Sequence, residues 1–327
     1  MTGYELVRRA IEFDCPERLP FFQHVYPKAP EDVCDTWEID RQKAGWFFDI
    51  PLPDDWGCNW EMTEVKNMGQ VVKGPLEDWS QLDRYKPPDP KDPFYFSVAE
   101  KEIANPGDRY VCLTSHFTLI ERLHMLHGFE NTMVDFFLEP EKIERVLDMI
   151  LDFKIAQVDE FHRRFGDRVH GVFLSDDWGT QTGTFISPEL FDHFFHNRYK
   201  TLVSRYHELG YHFILHSCGR INNFVDRFID IGVDMINMQQ PKAYGIEEIG
   251  RRFAGRIAFL STVDIQATLP SNDPDAIRKE AHSLVDNWGI PDGGFVVFNY
   301  GDPEGINVKD EMSEVMFEAF MEKMWLK

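Results

Sequence analysis

Cysteine is scarce in this sequence. The 327 residues hold five, Cys15, Cys34, Cys58, Cys112 and Cys218, an odd number with no CxxC spacing. That excludes a disulfide scaffold and reads as a reduced, cytoplasmic protein. Positive charge is also in short supply: 34 Lys and Arg stand against 56 Asp and Glu, a formal net charge of -22. Nucleic acid is held by phosphate neutralisation from a basic face, and anionic membrane surfaces need the same, so both partners are excluded. No stretch approaches the roughly 18 uninterrupted apolar residues of a membrane helix. Residues 1–15 carry charges throughout and lack the apolar centre of a secretory leader. Internal repeats and low-complexity segments are missing, and no Gly-rich dinucleotide fingerprint follows any expected strand.

What is present is material for a large core, with 43% hydrophobic and 14% aromatic residues. Residues 1–16 read as a short amphipathic helix closed by Pro16, and Arg18–His24 as a first strand. Residues 26–109 differ in texture. Pro recurs at 27, 30, 51, 53, 75, 87, 88, 90 and 93, so an irregular lid is expected there, with a hairpin around Trp60–Leu76. From residue 110 onward strands and helices alternate. Strands are expected near 112, 172, 213, 235, 258 and 296, and an eighth near Trp46–Ile50. Helices are expected over 117–138, Pro140–Phe165, Pro188–Leu209, 221–230, Ile246–Phe253, Pro274–Trp288 and 310–324. Pro at a first turn and Gly just past an end mark several of them. Eight such units predict a single (β/α)8 TIM barrel domain spanning 1–327, with parallel strands and right-handed crossovers.

In such a barrel the chemistry gathers where strands end. Those ends read His24; Ser115-His116; Ser175-Asp176-Asp177-Trp178; His216-Ser217-Cys218; Asn237-Met238-Gln239; Ser261-Thr262-Val263-Asp264; and Asn299-Tyr300-Gly301-Asp302. His216 and Cys218 are two residues apart on extended chain, so their side chains face the same way. Imidazole and thiolate suit zinc, whose catalytic sites keep three protein ligands and an open position. The competing reading is a hydrogen-bonding histidine beside an inert buried cysteine. A third ligand would come from Asp302, Asp177, Asp264 or Glu121. Of the adjacent pair Asp176 and Asp177, alternation lets one face the opening as acid, base or orienting group, and His116 is a further catalytic candidate. His24, Trp178, Gln239 and Tyr300 are candidate substrate contacts. His124 and His127 read as surface histidines.

The segments Leu174-Ser-Asp-Asp-Trp-Gly-Thr-Gln-Thr-Gly183, Ile186-Ser-Pro-Glu-Leu-Phe-Asp192, His216-Ser-Cys-Gly219 and Gly232-Val-Asp-Met-Ile-Asn237 resemble the uroporphyrinogen decarboxylase-like superfamily. Gly74-Pro-Leu76, Gly128-Phe-Glu130 and Glu139-Pro-Glu141 are similar to its upstream landmarks. The resemblance implies a (β/α)8 barrel and one of two branches. True decarboxylases use no metal and hold a polycarboxylate substrate with an N-terminal arginine-rich segment, where this chain has Phe21-Phe-Gln-His-Val-Tyr26. The other branch comprises zinc-dependent methyltransferases that exchange methyl groups with a corrinoid (cobalamin) protein. Its zinc ligands are a His-x-Cys strand end and a late Cys. His216 and Cys218 match the first two, and the late Cys falls near Gly301-Asp302, which makes Asp302 the implied third ligand. A harder donor set suits an oxygen substrate better than a thiol. The resemblance therefore implies O-demethylase-type transfer from a methoxylated aromatic or similar small donor, with Zn2+ as Lewis acid and a corrinoid protein as partner. The alternative is a metal-free decarboxylase or lyase using Asp176 or Asp177. A homodimer is compatible with the barrel, although no stretch marks an interface.

Overall fold

A computed structural model describes residues 1–22, 34–40, 53–62 and 69–324. Its strands are β1 (Phe21–Phe22), β2 (Thr36–Asp40), β3 (Asn59–Glu61), β4 (Gln70–Lys73), β5 (Tyr110–Ser115), β6 (Gly171–Ser175), β7 (His212–His216), β8 (Met235–Met238), β9 (Ala258–Ser261) and β10 (Phe295–Phe298). Eight of these form one parallel sheet in the order β1-β10-β9-β8-β7-β6-β5-β2. The sheet curls until its ends meet: Asp35 N donates to Phe21 O at 3.1 Å, and Phe21 N donates to Asp35 Oδ2 at 2.9 Å. Arg18 holds that same carboxylate in a bidentate pair. The result is a (β/α)8 barrel.

Period-two alternation divides each strand between two cores. Phe22, Cys112, Phe173, Ile214, Met235, Leu260, Val296 and Phe298 fill the barrel interior. Val111, Leu113, Val172, Leu174, Phe213, Leu215, Ile236 and Phe259 face the helical layer. Val7, Ala10 and Ile11 of the Gly3–Glu12 helix join the interior cluster. That helix seals the N-terminal end, where Tyr4 N reaches Asp108 O and Gly294 N reaches Ala10 O. Among the described residues the opposite end stays open, and continuing the inward alternation along β7 and β8 brings His216 and Asn237 to it.

The locally signalled helices form as their punctuation predicts. Pro140–Phe165 starts on Pro140 and stops at Gly166, and Pro274–Trp288 is capped by the Asp273 side chain on Asp275 N and Ala276 N. The single helix expected over 117–138 is instead two, Ile120–His127 and Phe129–Leu138, because Gly128 sits at φ 87°, which breaks the helical path. The expected 60–76 hairpin is the antiparallel pair β3–β4. The segment 26–109 is not irregular throughout: β2 lies within it and pairs with β5 along Thr36–Asp40, completing the barrel. The strand expected at Trp46–Ile50 lies outside the described residues. Asp54 organises a buried knot, accepting from Trp56 N, Cys58 N and Trp60 Nε1. Among the described residues no helix is long and apolar enough to cross a membrane.

One buried histidine makes the fold sensitive to acid. His170 Nδ1 accepts the Val111 N–H at 2.8 Å, and its ring lies 4.4 Å from Tyr4. Burial, with His212 adding to it, pulls its pKa down to about 4. A folded-state pKa below the unfolded value stabilises the protein above pH ~6.5, and that stability is lost as pH falls towards 4. Partial exposure reduces the effect to about 1–2 kcal/mol. His170→Asn keeps an acceptor for Val111, so its denaturant midpoint should vary less with pH over this window than the wild type's.

Candidate active site at the barrel mouth

Three ligand atoms meet at the open end. Cys218 Sγ lies 3.3 Å from His216 Nε2, and Asp177 Oδ1 lies 3.6 Å from the same nitrogen. All three lie within 4.8 Å of one another. The i, i+2 spacing on β7 delivers the histidine and cysteine, as alternation requires. Asp177 arrives from the neighbouring β6, paired to β7 through Ser175 and His216. Cys218 N donates to Asp177 Oδ1 at 2.7 Å and fixes that carboxylate against the next turn.

The histidine is held in one tautomer. Asn237 Nδ2 donates to Leu260 O at 2.9 Å, so its Oδ1 faces His216 Nδ1 at 2.6 Å. Gln239 Nε2 donates to the same oxygen. Nδ1 must therefore carry the proton, which leaves Nε2 as a lone-pair donor towards Cys218 and Asp177. Burial, followed by the Asp177 and Glu121 carboxylates, pushes the Cys218 thiol well above its ordinary range. Each of these effects favours the neutral thiol, and a bound cation would reverse them.

The donor set fits a zinc-like ion. Metal–ligand bonds of about 2.0–2.3 Å at tetrahedral angles put ligand atoms about 3.4–3.6 Å apart. The observed 3.3 and 3.6 Å lie close to that spacing, and the third separation is within 4.8 Å. Nitrogen, sulfur and oxygen donors converge there.

The other expected site residues divide. Asp302 stands outside the cluster and caps its own turn, accepting from Gly305 N. Asp264 is likewise occupied by Gln266 N, Ala267 N and Lys242 N. Asp176 does not face the opening: it is fully buried and accepts from Leu119 N, Ile120 N, Glu121 N and the Tyr199 hydroxyl. Trp178 is fully buried among Phe191, Phe195, Tyr199 and Phe224. His116 is half-buried at the end of β5, and its carbonyl accepts from Lys154. Gln239 acts on Asn237. Tyr300 lies close enough that Cys218, after burial and Asp302, contributes to raising its pKa. His24 is outside the described residues. His127 is buried rather than on the surface, bound to Leu76 O and Asp135 and stacked 3.7 Å from Trp79.

Two groups that the strand-end reading left without these roles now matter. Asn237 orients His216, as its place two residues from the end of an inward-facing pattern allows. Glu121, buried on the Ile120–His127 helix, accepts from Ser175 Oγ at 2.9 Å. Burial, then Asp177 and Asp176, raises its pKa well above the ordinary carboxyl range.

The sequence profile described as "Uroporphyrinogen decarboxylase (URO-D)" matches residues 39–322. The chain belongs to that family. Among solved structures, a methyltransferase from Methanosarcina mazei aligns over 98% of this chain and 99% of its own, at TM-score 0.71 and 14% identity. Likeness at that identity shows the fold the two share. A D-psicose 3-epimerase solved in the presence of D-fructose aligns over 74% of this chain and 84% of its own at 9% identity, but its TM-score of 0.36 carries no argument. No curated protein sequence matches the chain. For this member of the uroporphyrinogen decarboxylase family, the segment from Thr36 to Glu322 supplies every described group in the site.

Proposed function

We propose that this protein is a methyltransferase that moves a methyl group from a small donor, a methoxylated aromatic or similar ether, to the Co(I) of a corrinoid protein. The observation that carries the reading is the convergence of His216, Cys218 and Asp177 on one point of the barrel mouth. Family membership and a full-length fold likeness to a methyltransferase support it. These three residues would hold Zn2+, and the ion would supply Lewis acidity at the ether oxygen when bound.

The chain's own residues do the rest. Asn237 and Gln239 hold His216 in the tautomer that offers Nε2. Transfer breaks the methyl C–O bond and forms a Co–C bond with the electron pair of Co(I). The oxygen departs with the C–O pair and needs a proton. Glu121, its pKa raised by burial beside Asp177, is the source we assign, with His116 bordering the same opening. Tyr300 and Gln239 line the approach for the donor. The corrinoid must reach the open end of the barrel, so its carrier docks at the face formed by the strand-end loops.

The test pairs metal analysis with a corrinoid assay. Protein purified without added zinc should carry near-stoichiometric metal. It should also convert a Co(I) corrinoid carrier to its methyl form, read by absorbance, with one or more methoxylated aromatics. Full activity on a carboxylated substrate after chelation would instead establish a metal-free decarboxylase.

A further inference from the structure

The turn that follows Cys218 borders a second, separate cavity. It measures about 230 Å3 and is lined by Thr182, Arg220, Asn222, Glu248 and Arg252 among others. The charge pattern there is unusual for this protein. Several arginines sit tightly on carboxylates, as in Arg18–Asp35 at 2.6 Å, Arg227–Asp192 at 2.6 Å and Arg205–Asp159 at 2.7 Å. Arg220 does not. Its nearest carboxylate among the described residues is Glu248 at 3.9 Å, too long for a hydrogen bond. Arg252 reaches Glu248 and Asp226 only at 3.4 Å. Two guanidiniums thus share one lining carboxylate loosely, and their forks retain donors.

The same lining contains an orphan. Asn222 is buried, and its Nδ2 donates to Tyr244 O at 2.8 Å, but its Oδ1 has no partner. A buried amide oxygen without a donor is a standing penalty that a ligand carrying an O–H or N–H would remove. Arginine forks match planar or tetrahedral oxyanions in two-point contact.

We infer that this cavity is a binding site for an oxyanion bearing a hydrogen-bond donor, of which a phosphate group is the chemical type. Arg220 and Arg252 take the anionic oxygens, and Asn222 accepts from the protonated oxygen or a neighbouring hydroxyl. The site is tied to the reaction centre through the backbone. Arg220 N donates to Thr180 O at 2.7 Å, and a Cβ on Gly219 would stand 2.1 Å from the carbonyl carbon of Gly179. Those two crossing turns are the ones that present Asp177 and Cys218. An occupant therefore braces the loops that carry two of the three converging ligand atoms, without itself entering the mouth. The inference does not depend on the identity of the reaction.

Calorimetric titration at low ionic strength tests it, with inorganic phosphate, a glycerol phosphate ester and acetate as probes. Low salt matters because charge attraction at this half-exposed arginine is screened. Each titration is run on wild type and on the His216→Ala, Cys218→Ala protein, so that oxyanion binding at the converging ligands is separated from binding here. Phosphate should bind both proteins at millimolar affinity, and Arg220→Gln should weaken it at least ~10-fold. Arg278→Gln, in a surface ion pair, should leave binding unchanged. Asn222→Asp places a charge where the anion sits and should abolish it. Tighter binding of the ester than of free phosphate would identify a larger ligand, and equal binding a free anion. No phosphate binding to wild type, or undiminished binding to Arg220→Gln, overturns the proposal.

Discussion

Cutting His216 and Cys218 back to alanine should yield a folded protein that purifies without zinc and turns over no methyl donor. Both side chains sit at the open end of the barrel, beyond the packed interior, so their loss removes few apolar contacts and the melting temperature should move by only a few degrees. The metal should respond very differently. Structural zinc in zinc-finger peptides is worth about 10–16 kcal/mol in total, so each ligand of such a site carries several kcal/mol, and either single variant here should bind at least ~100-fold more weakly. Asp177→Asn should also weaken the metal, because it removes the only carboxylate in the cluster while keeping an acceptor for Cys218 N. Asp302→Asn should not, since that side chain caps Gly305. Asn237→Leu tests the supporting layer: without its oxygen, His216 loses its fixed tautomer, and metal affinity should fall by about 10–100-fold. Retention of both zinc and turnover in the double alanine variant would sink the zinc reading altogether.

The contrast between Asp177 and Asp302 shows where sequence reasoning stops. The spacing of His216 and Cys218 is a local property of extended chain, so their meeting was legible. The third ligand is not local. Asp302 follows the last strand in the order the superfamily resemblance implies, but its turn folds back on Gly305. Asp177 joins the cluster because β6 lies beside β7 and Cys218 N ties its carboxylate to the neighbouring turn, a contact that sequence spacing does not rank above the other candidates. The same limit explains β2. Pro140–Phe165 and Pro274–Trp288 announce themselves through proline, capping and glycine at their ends. Thr36–Asp40 announces nothing: five residues in a proline-rich stretch become a strand because Tyr110–Thr114 offers them a parallel edge. The hairpin β3–β4 was legible from its flanking aromatics and its local closure. Alternation also foresaw that only one of Asp176 and Asp177 would face the opening. Choosing between them needed the Ile120–His127 helix, whose first amides claim Asp176.

That claim gives the second large effect. Asp176→Ala should cost about 4–6 kcal/mol, a substantial share of the roughly 5–15 kcal/mol by which a domain is stable. Three backbone N–H groups at the start of the Ile120–His127 helix and the Tyr199 hydroxyl all end on this one carboxylate. The residue has no exposed surface, so these donors are cut off from bulk water. Each orphaned donor costs about 1–3 kcal/mol. Burial raises the Asp176 pKa to about 6 despite those donors. Its ionisation therefore opposes folding as pH rises from ~4 to ~6, and an isosteric neutral residue isolates that term. Asp176→Asn keeps one oxygen for the amides and should lose less stability than alanine, and its loss relative to the wild type should be smaller at pH 7 than at pH 4.5. Tyr199→Phe should cost about 1–2 kcal/mol with turnover intact. Urea denaturation of the three variants reads these differences. A stable, fully folded Asp176→Ala protein without activity would return Asp176 to the chemistry. Instability with turnover surviving in the folded fraction would fix its role as the clamp that sets the helix bearing Glu121.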